Sequence, residues 1–297
     1  MIPARIYLFA AFAALFWGAN FNLAGPVLVD MAPMAAAAGR FLLAALIMLV
    51  VVVGRGEGLA MLEIARRHGL RLSIVGIVGI AGFNLLFFDA MRSTSAVNGA
   101  LIMATNPLLT ALLAALTLGE KIPSRQIAAL PVALGGVALV ILGGRNGGGL
   151  SMGLGDAEML GANLAWAAYN VLARKLMPPG PQFANVTLVM AAGALVLTLA
   201  ALAGGSEIAL PGPRAGAALL TMAVTGSVLA YLFWSMAITR MGAGRTSLFL
   251  NLVPVFAAII ASLGGDVPNP AQLGGGMVVI MAVLYSMAPA RQRTCPA

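Results

Sequence analysis

The sequence is poor in charge: Asp, Glu, Lys and Arg together supply 9% of its 297 residues. It holds one cysteine, Cys295, and one histidine, His68. Each scarcity excludes something. So few polar side chains cannot cover the surface of a water-soluble globule of this length. A lone cysteine in the tail rules out an internal disulfide framework. One histidine, outside every apolar run, excludes histidine-built metal centres and Ser-His chemistry within a membrane. Only one aspartate, Asp89, falls inside an apolar run, which excludes a paired-aspartate intramembrane protease. No G-x-x-x-x-G-K-[ST] is present, and the glycine-rich stretch 143–155 has no lysine to hold ATP phosphates. Neither a cofactor nor an enzymatic activity is expected.

What the chain has in abundance is apolar: 61% of residues, with a mean hydropathy of +0.99. Ten apolar runs can be read between charged or Pro/Gly-rich breaks, at 6–28, 34–53, 72–91, 97–118, 126–142, 157–172, 185–203, 217–238, 247–263 and 272–287. A helix crosses the hydrocarbon layer with about 20 such residues. The runs are apolar on both parities, which a membrane β-barrel strand is not. The expectation is an all-α integral membrane protein of ten transmembrane helices in a lipid bilayer, and the first run reads as a retained span rather than a signal peptide.

The basic residues orient these spans. With Arg5 in the cytoplasm, one side collects Arg5, Arg55, Arg66, Arg67, Arg71, Lys121, Arg125, Arg174, Lys175, Arg240, Arg245, Arg291 and Arg293. The other side has Arg92, Arg145 and Arg214, and Arg40 lies within a run. The loops are short, so the positive-inside rule applies and both termini are expected in the cytoplasm of a bacterial inner membrane. The net charge of +8 then faces the anionic inner leaflet, and nucleic acid is not an expected partner.

The chain also repeats itself. Ser95-Ala-Val-Asn-Gly, an apolar run broken by Asn106-Pro107, Leu118-Gly-Glu-Lys, Gln126 and Gly135-Gly136 are followed by Gly242-Ala-Gly-Arg-Thr-Ser247. After that come Pro254, Leu263-Gly-Gly-Asp, Gln272 and Gly274-Gly275. Leu15-Phe-Trp17 is echoed by Leu164-Ala-Trp166, and Asn84 through Phe87 by Tyr231 through Trp234. Two five-helix units, 1–145 and 156–290, are expected, with a glycine-rich linker at 146–155 and a cytoplasmic tail at 291–297. Five is odd, so the second unit enters the membrane upside down, the inverted repeat of many secondary transporters.

Several side chains stand out against this background. Trp17, Asn20 and Phe21 share a helix face, and Trp166 recurs with Tyr169 and Asn170 at the same spacing. Asn20 reads equally well as packing between helices and as cavity lining. Asn84 and Phe87 mirror Tyr231 and Trp234; ordinary packing competes with an amphipathic lining there too. Pro107 and Pro254 interrupt matching spans, a pointer to moving or binding helices, with Asn98 and Met103 beside the first and Ser247 and Asn251 beside the second. Arg40 lies roughly 9 Å inside the second run, where an unpaired guanidinium is costly. Asp89 is the expected structural partner, with Asp89–Arg92 as the local alternative. The stretch 57–68 reads as a short helix on the inner surface.

The order and duplication of these motifs over essentially the whole chain resemble the drug/metabolite transporter superfamily and its EamA-type members, which include bacterial aromatic amino acid exporters. The second half departs in having Gly-Gly-Asp where Gly-Glu is usual. The resemblance implies a central cavity lined by spans one, three, four, six, eight and nine, and export of amino acids or related metabolites. A phosphorylated substrate would need several cavity cations, and only Arg40 is available. A permanently cationic drug would need a carboxylate deeper than Asp89. A zwitterionic or neutral small molecule, its carboxylate meeting a broken-helix end, is the expected partner. A multidrug or cation carrier of the same fold, and a non-transporting scaffold or pore, are the alternatives. Whether the protein is a monomer or a homodimer is left open by the sequence.

Overall fold

A computed structural model describes residues 3–119, 124–143, 153–206, 210–241, 246, 248–265 and 269–287. Over those residues the chain is helical, without strands. Its helices are α1 (Ala4–Asp30), α2 (Pro33–Gly54), α3 (Gly58–Ala90), α4 (Ala96–Met103), α5 (Asn106–Leu118), α6 (Ser124–Gly143), α7 (Leu154–Leu176) and α8 (Gln182–Ala203). There follow α9 (213–241), a 3₁₀ turn (Leu248–Asn251), α10 (Leu252–Leu263) and α11 (Pro270–Met287). Each of the ten apolar runs is helical over most of its described length, with a turn at Ala104–Thr105 inside the fourth. α1, α2, α3, α8, most of α9 and the stretch Leu101–Leu118 are long and apolar enough to cross a membrane, and Phe249–Leu263 and Leu273–Ala282 are shorter apolar helices.

The reason for this structure is the solvent. In hydrocarbon every backbone N–H and C=O must find its partner within the protein, which a helix arranges locally. The side chains then sort by packing. Phe41, Phe88 and Met48 are fully enclosed, while Leu46, Val50, Leu199, Met277 and Met281 stand exposed on the outside of their helices, as lipid contact requires. Reversals fall where a left-handed residue is needed: Gly119 at φ 68° closes α5, its N–H donating to the carbonyl of Ala115.

Glycines let backbones touch at two crossings. At Gly136 of α6 a Cβ would meet the Gly275 carbonyl of α11 at 2.9 Å, and Gly193 of α8 leaves only 3.0 Å to the Gly76 carbonyl of α3. α6 pairs extensively with α11, and α2 with α8. α1 packs on α9 and α10, and α7 packs on α3, α4 and α5.

The structure corrects one expectation about the elements. The stretch 57–68 is no separate surface helix: α3 runs unbroken from Gly58 to Ala90, and none of its internal glycines, Gly69, Gly76, Gly79 and Gly82, takes a positive φ. Its polar turn projects outward, with Leu59, Arg66 and Arg67 exposed. Pro107 and Pro254 do mark interruptions of their spans, each at a break in the helix. The helix stops at Met103 and restarts at Asn106 with Pro107 in its first turn, where a missing N–H costs little. Pro254 likewise sits in the first turn of α10, after the 3₁₀ turn.

α3 and α9 share a further feature. Each passes through a π-helical stretch, Ile77–Gly82 in α3 and Met222–Leu229 in α9. The two stretches overlap when the chain is shifted by the 147 residues that relate Pro107 to Pro254. Such widened turns rotate the helix and free carbonyls. Both lie beside the site described next.

Candidate functional site

The chain has three tryptophans, and all of them meet in the middle of the bundle. Trp17 of α1 lies edge-on to Trp166 of α7, with ring centroids 5.3 Å apart, and 5.0 Å from Trp234 of α9. Tyr231 stands perpendicular to Trp166 at 5.6 Å and to Trp17 at 6.0 Å. Tyr169 stacks on Trp166 at 4.8 Å. Phe21 and Phe87 close another edge at 5.2 Å.

Two glycines in the π-helical stretches make room for this cage. The ring of Tyr169 occupies the space where a Cβ on Gly79 would be, and the amide of Asn20 occupies the corresponding space at Gly226. Gly79 and Gly226 are 147 apart; Asn20 and Tyr169 follow Trp17 and Trp166 by three residues. The two contacts are therefore one contact made twice, each time between the two halves.

Within the cage is a cavity of about 40 Å³ lined by Trp17, Asn20, Phe21, Arg40, Phe87, Met103, Trp166 and Tyr231. Phe83, Leu250 and Val253 complete the wall; the sequence reading missed these because nothing polar or repeated marks them. The space holds roughly three waters, less than an amino acid needs. A second hollow of about 380 Å³ lies on the other side of Tyr169 and Trp234, beside Arg174 and the turn from Pro178 to Gln182.

Arg40 is 3% exposed. Its Nε donates to the Ser227 hydroxyl at 2.9 Å, Nη1 to the Asn84 side-chain oxygen at 3.4 Å and Nη2 to the Gly226 carbonyl at 3.3 Å. The expected Arg40–Asp89 pair is not formed. Asp89 instead meets Arg92 at 3.7 Å, the local alternative, with both side chains more than half exposed. α2 turns Arg40 toward the π-helical stretch of α9, whereas Asp89 lies at the mouth of the bundle. There it lies close to Glu158 of α7, a residue inside the 157–172 run that the sequence reading passed over.

Trp17 donates its indole N–H to the same Gly226 carbonyl at 3.0 Å. The Trp166 and Trp234 indoles and the Asn20 carbonyl oxygen are buried with no hydrogen-bond partner among the described residues. Both side-chain atoms of buried Asn251 are likewise unpartnered there.

Other expected lining residues stand behind the cage. Asn84 donates to the Ile80 carbonyl at 2.8 Å while accepting from Arg40. Asn98 is buried near the start of α4, its backbone N–H donating to Ser95 Oγ. Asn170 donates to the Asn106 side chain at 3.2 Å. Asn106 and Asn163 clasp one another at 2.8 Å, and Asn163 donates to the Ile102 carbonyl at 3.0 Å and to Thr105 at 2.8 Å. This amide network satisfies the backbone freed where α4 ends. Asn163 was missed, although its position three before Trp166 puts it on the same face. Ser247 lies outside the described residues.

An all-helical apolar bundle with an enclosed aromatic cage and a buried cation is the architecture of a membrane carrier, and the comparisons give it a family. The EamA-like transporter family model matches residues 4–142 and again 153–288. The chain belongs to the EamA-like transporter family, and it is a multi-pass membrane protein. It is 38% identical to a Bacillus subtilis protein described as an uncharacterized transporter, YyaM, over 94% of this chain and 92% of that one. It is 28% identical to a probable amino-acid metabolite efflux pump of Salmonella typhimurium, over 93% and 92%. A solved structure of 19% identity superposes with a TM-score of 0.73, covering 96% of both chains, and so shares the fold.

Proposed function

We propose that the chain is a secondary transporter or facilitator that exports amino acids and related small metabolites across the bacterial inner membrane by alternating access. The observation that carries this reading is the aromatic cage, assembled from corresponding positions of the two halves: Trp17 with Trp166, and Tyr231 opposite the Asn84 position.

Three further observations support it. The packing is unchanged when the halves are exchanged: α2 on α8 and α6 on α11 map onto themselves, and α1 on α9 and α10 maps onto α7 on α3, α4 and α5. Two inverted five-helix units, 1–145 and 156–290, have that symmetry, and rocking one against the other would open the cage to alternate sides. The cage is closed, with a larger hollow on one side of Tyr169 and Trp234. The Salmonella relative carries the amino-acid metabolite description. Among the described residues no carboxylate lines the cavity, which disfavours a cation carrier of the same fold.

Purified protein in liposomes tests the proposal. A carrier gives saturable amino-acid flux that unlabelled substrate competes away; linear flux identifies a pore, and none a scaffold. Trp17→Ala and Trp166→Ala should each lower flux while leaving expression intact. Full flux in both would remove the cage from the transport path. Reporter fusions at both ends should place the termini in the cytoplasm; opposite faces would refute the inverted arrangement.

A further inference from the structure

We infer that Arg40 is the anchor for a substrate carboxylate, so that the cage selects molecules bearing a carboxylate beside an apolar or aromatic group. The inference deepens the transport reading and rests on it for the step across the membrane, though not for binding.

The argument begins with charge. The guanidinium is buried in the wall of the central cavity, and everything it bonds to is neutral: a hydroxyl, an amide oxygen and a backbone carbonyl. Among the described residues Arg40 forms no ion pair, and the nearest expected acid, Asp89, is engaged with Arg92. A buried charge without a counter-charge is costly, and evolved sites keep one where a ligand supplies the missing sign.

Valence points the same way. A guanidinium has five N–H bonds. Three are used, one on each nitrogen, so Nη1 and Nη2 each retain one, the fork that a carboxylate accepts with both oxygens. Ser227, Asn84 and Gly226 hold the other three and fix the plane of the group. They are positioning residues, contributed by α3 and by the π-helical stretch of α9.

The rest of the wall suits the rest of such a molecule. Asn20 is among the residues lining the same cavity, and its side-chain oxygen, buried and without a partner among the described residues, is the acceptor on offer to an α-ammonium. The unpartnered Trp166 indole N–H offers one more donor. The faces of Trp17, Tyr231 and Phe87 take an apolar side chain. Phosphate esters are a poor match, since one cation faces the cavity.

Because every tryptophan in the chain belongs to the cage, intrinsic fluorescence of the full-length protein in detergent or nanodiscs reports occupancy directly. The probes are L-phenylalanine, L-leucine, their amides, and phenylacetate. The acids should quench or shift the emission saturably and bind about tenfold or more tighter than the matching amides, and phenylacetate should compete with phenylalanine. Arg40→Gln should reduce the acid-to-amide ratio to about one, with Arg40→Lys between. The wild-type acid-to-amide comparison stands even if Arg40→Gln fails to fold. Equal binding of acid and amide, or no response to any acid, overturns the anchor. Amino-acid flux with no acid preference would refute the anchor and leave transport standing. Acid-selective binding without flux would refute transport and leave the anchor.

Discussion

Trp17 donates its indole N–H to the Gly226 carbonyl at 3.0 Å, whereas Trp166, its counterpart in the second half, donates to nothing among the described residues. The rings hold matching places and make different bonds. Trp17→Phe keeps the ring and removes a used donor, so thermal unfolding in detergent should show a loss of about 0.5–1.5 kcal/mol. Trp166→Phe removes an unused donor and should be neutral or slightly stabilising. The reverse order would show that the hydrogen bond does not hold the closed cage.

Gly79 and Gly226 each give their side-chain space to a residue of the other half, Tyr169 and Asn20. Alanine at either position must push apart α3 and α7, or α9 and α1, an overpacking worth about 1–3 kcal/mol. Gly25, also helical, has nothing within 4 Å of its ideal Cβ, and Gly25→Ala should be neutral or stabilise by up to about 1 kcal/mol. Thermal midpoints of the three variants, ranked side by side, check this; a Gly79→Ala protein as stable as Gly25→Ala would contradict it.

Asn163 is the hub of the amide network behind the break between α4 and α5. Asn163→Ala removes one acceptor from the Asn106 amide and one donor from each of Thr105 and the Ile102 carbonyl, and should cost about 1–3 kcal/mol. Asn170, holding Asn106 and Thr110 through longer bonds of 3.2 and 3.4 Å, should cost less when replaced by Ala. Chemical or thermal denaturation of both variants in the same detergent gives the comparison.

Asp89 sits at the bundle mouth, more than half exposed, and does not reach Arg40. Asp89→Asn should leave the pH profile of liposome flux unchanged, because a solvent-reached carboxylate beside Arg92 is a structural partner at the surface. A profile that flattens in this variant would instead make the Asp89–Glu158 pair part of proton coupling.

Trp17 and Arg40 mark how far the sequence could be read. Trp17 was legible as a candidate because its echo at Trp166, with matching spacing to Asn20 and Tyr169, stands out in the sequence. Arg40 was legible as anomalous, since a cation inside an apolar run stands out, but its partners were not. The reading assigned it the one aspartate that a run contained; the structure gives it Ser227, Asn84 and a backbone carbonyl. Phe83, Leu250 and Val253 carried no signal, being apolar residues among many.

The division has a physical cause. Membrane residence, helical structure and the twofold recurrence of motifs follow from composition and linear order, because hydrocarbon forces each apolar run to satisfy its own backbone whatever its neighbours do. The cage, the free fork of Arg40 and the inequality of the two tryptophans depend on how each helix is rotated about its axis. That rotation is reset inside α3 and α9 by π-helical turns that shift the register of the side chains beyond them. A 3.6-residue count carried along the sequence loses phase at those turns, so the tertiary packing alone determines which side chains converge.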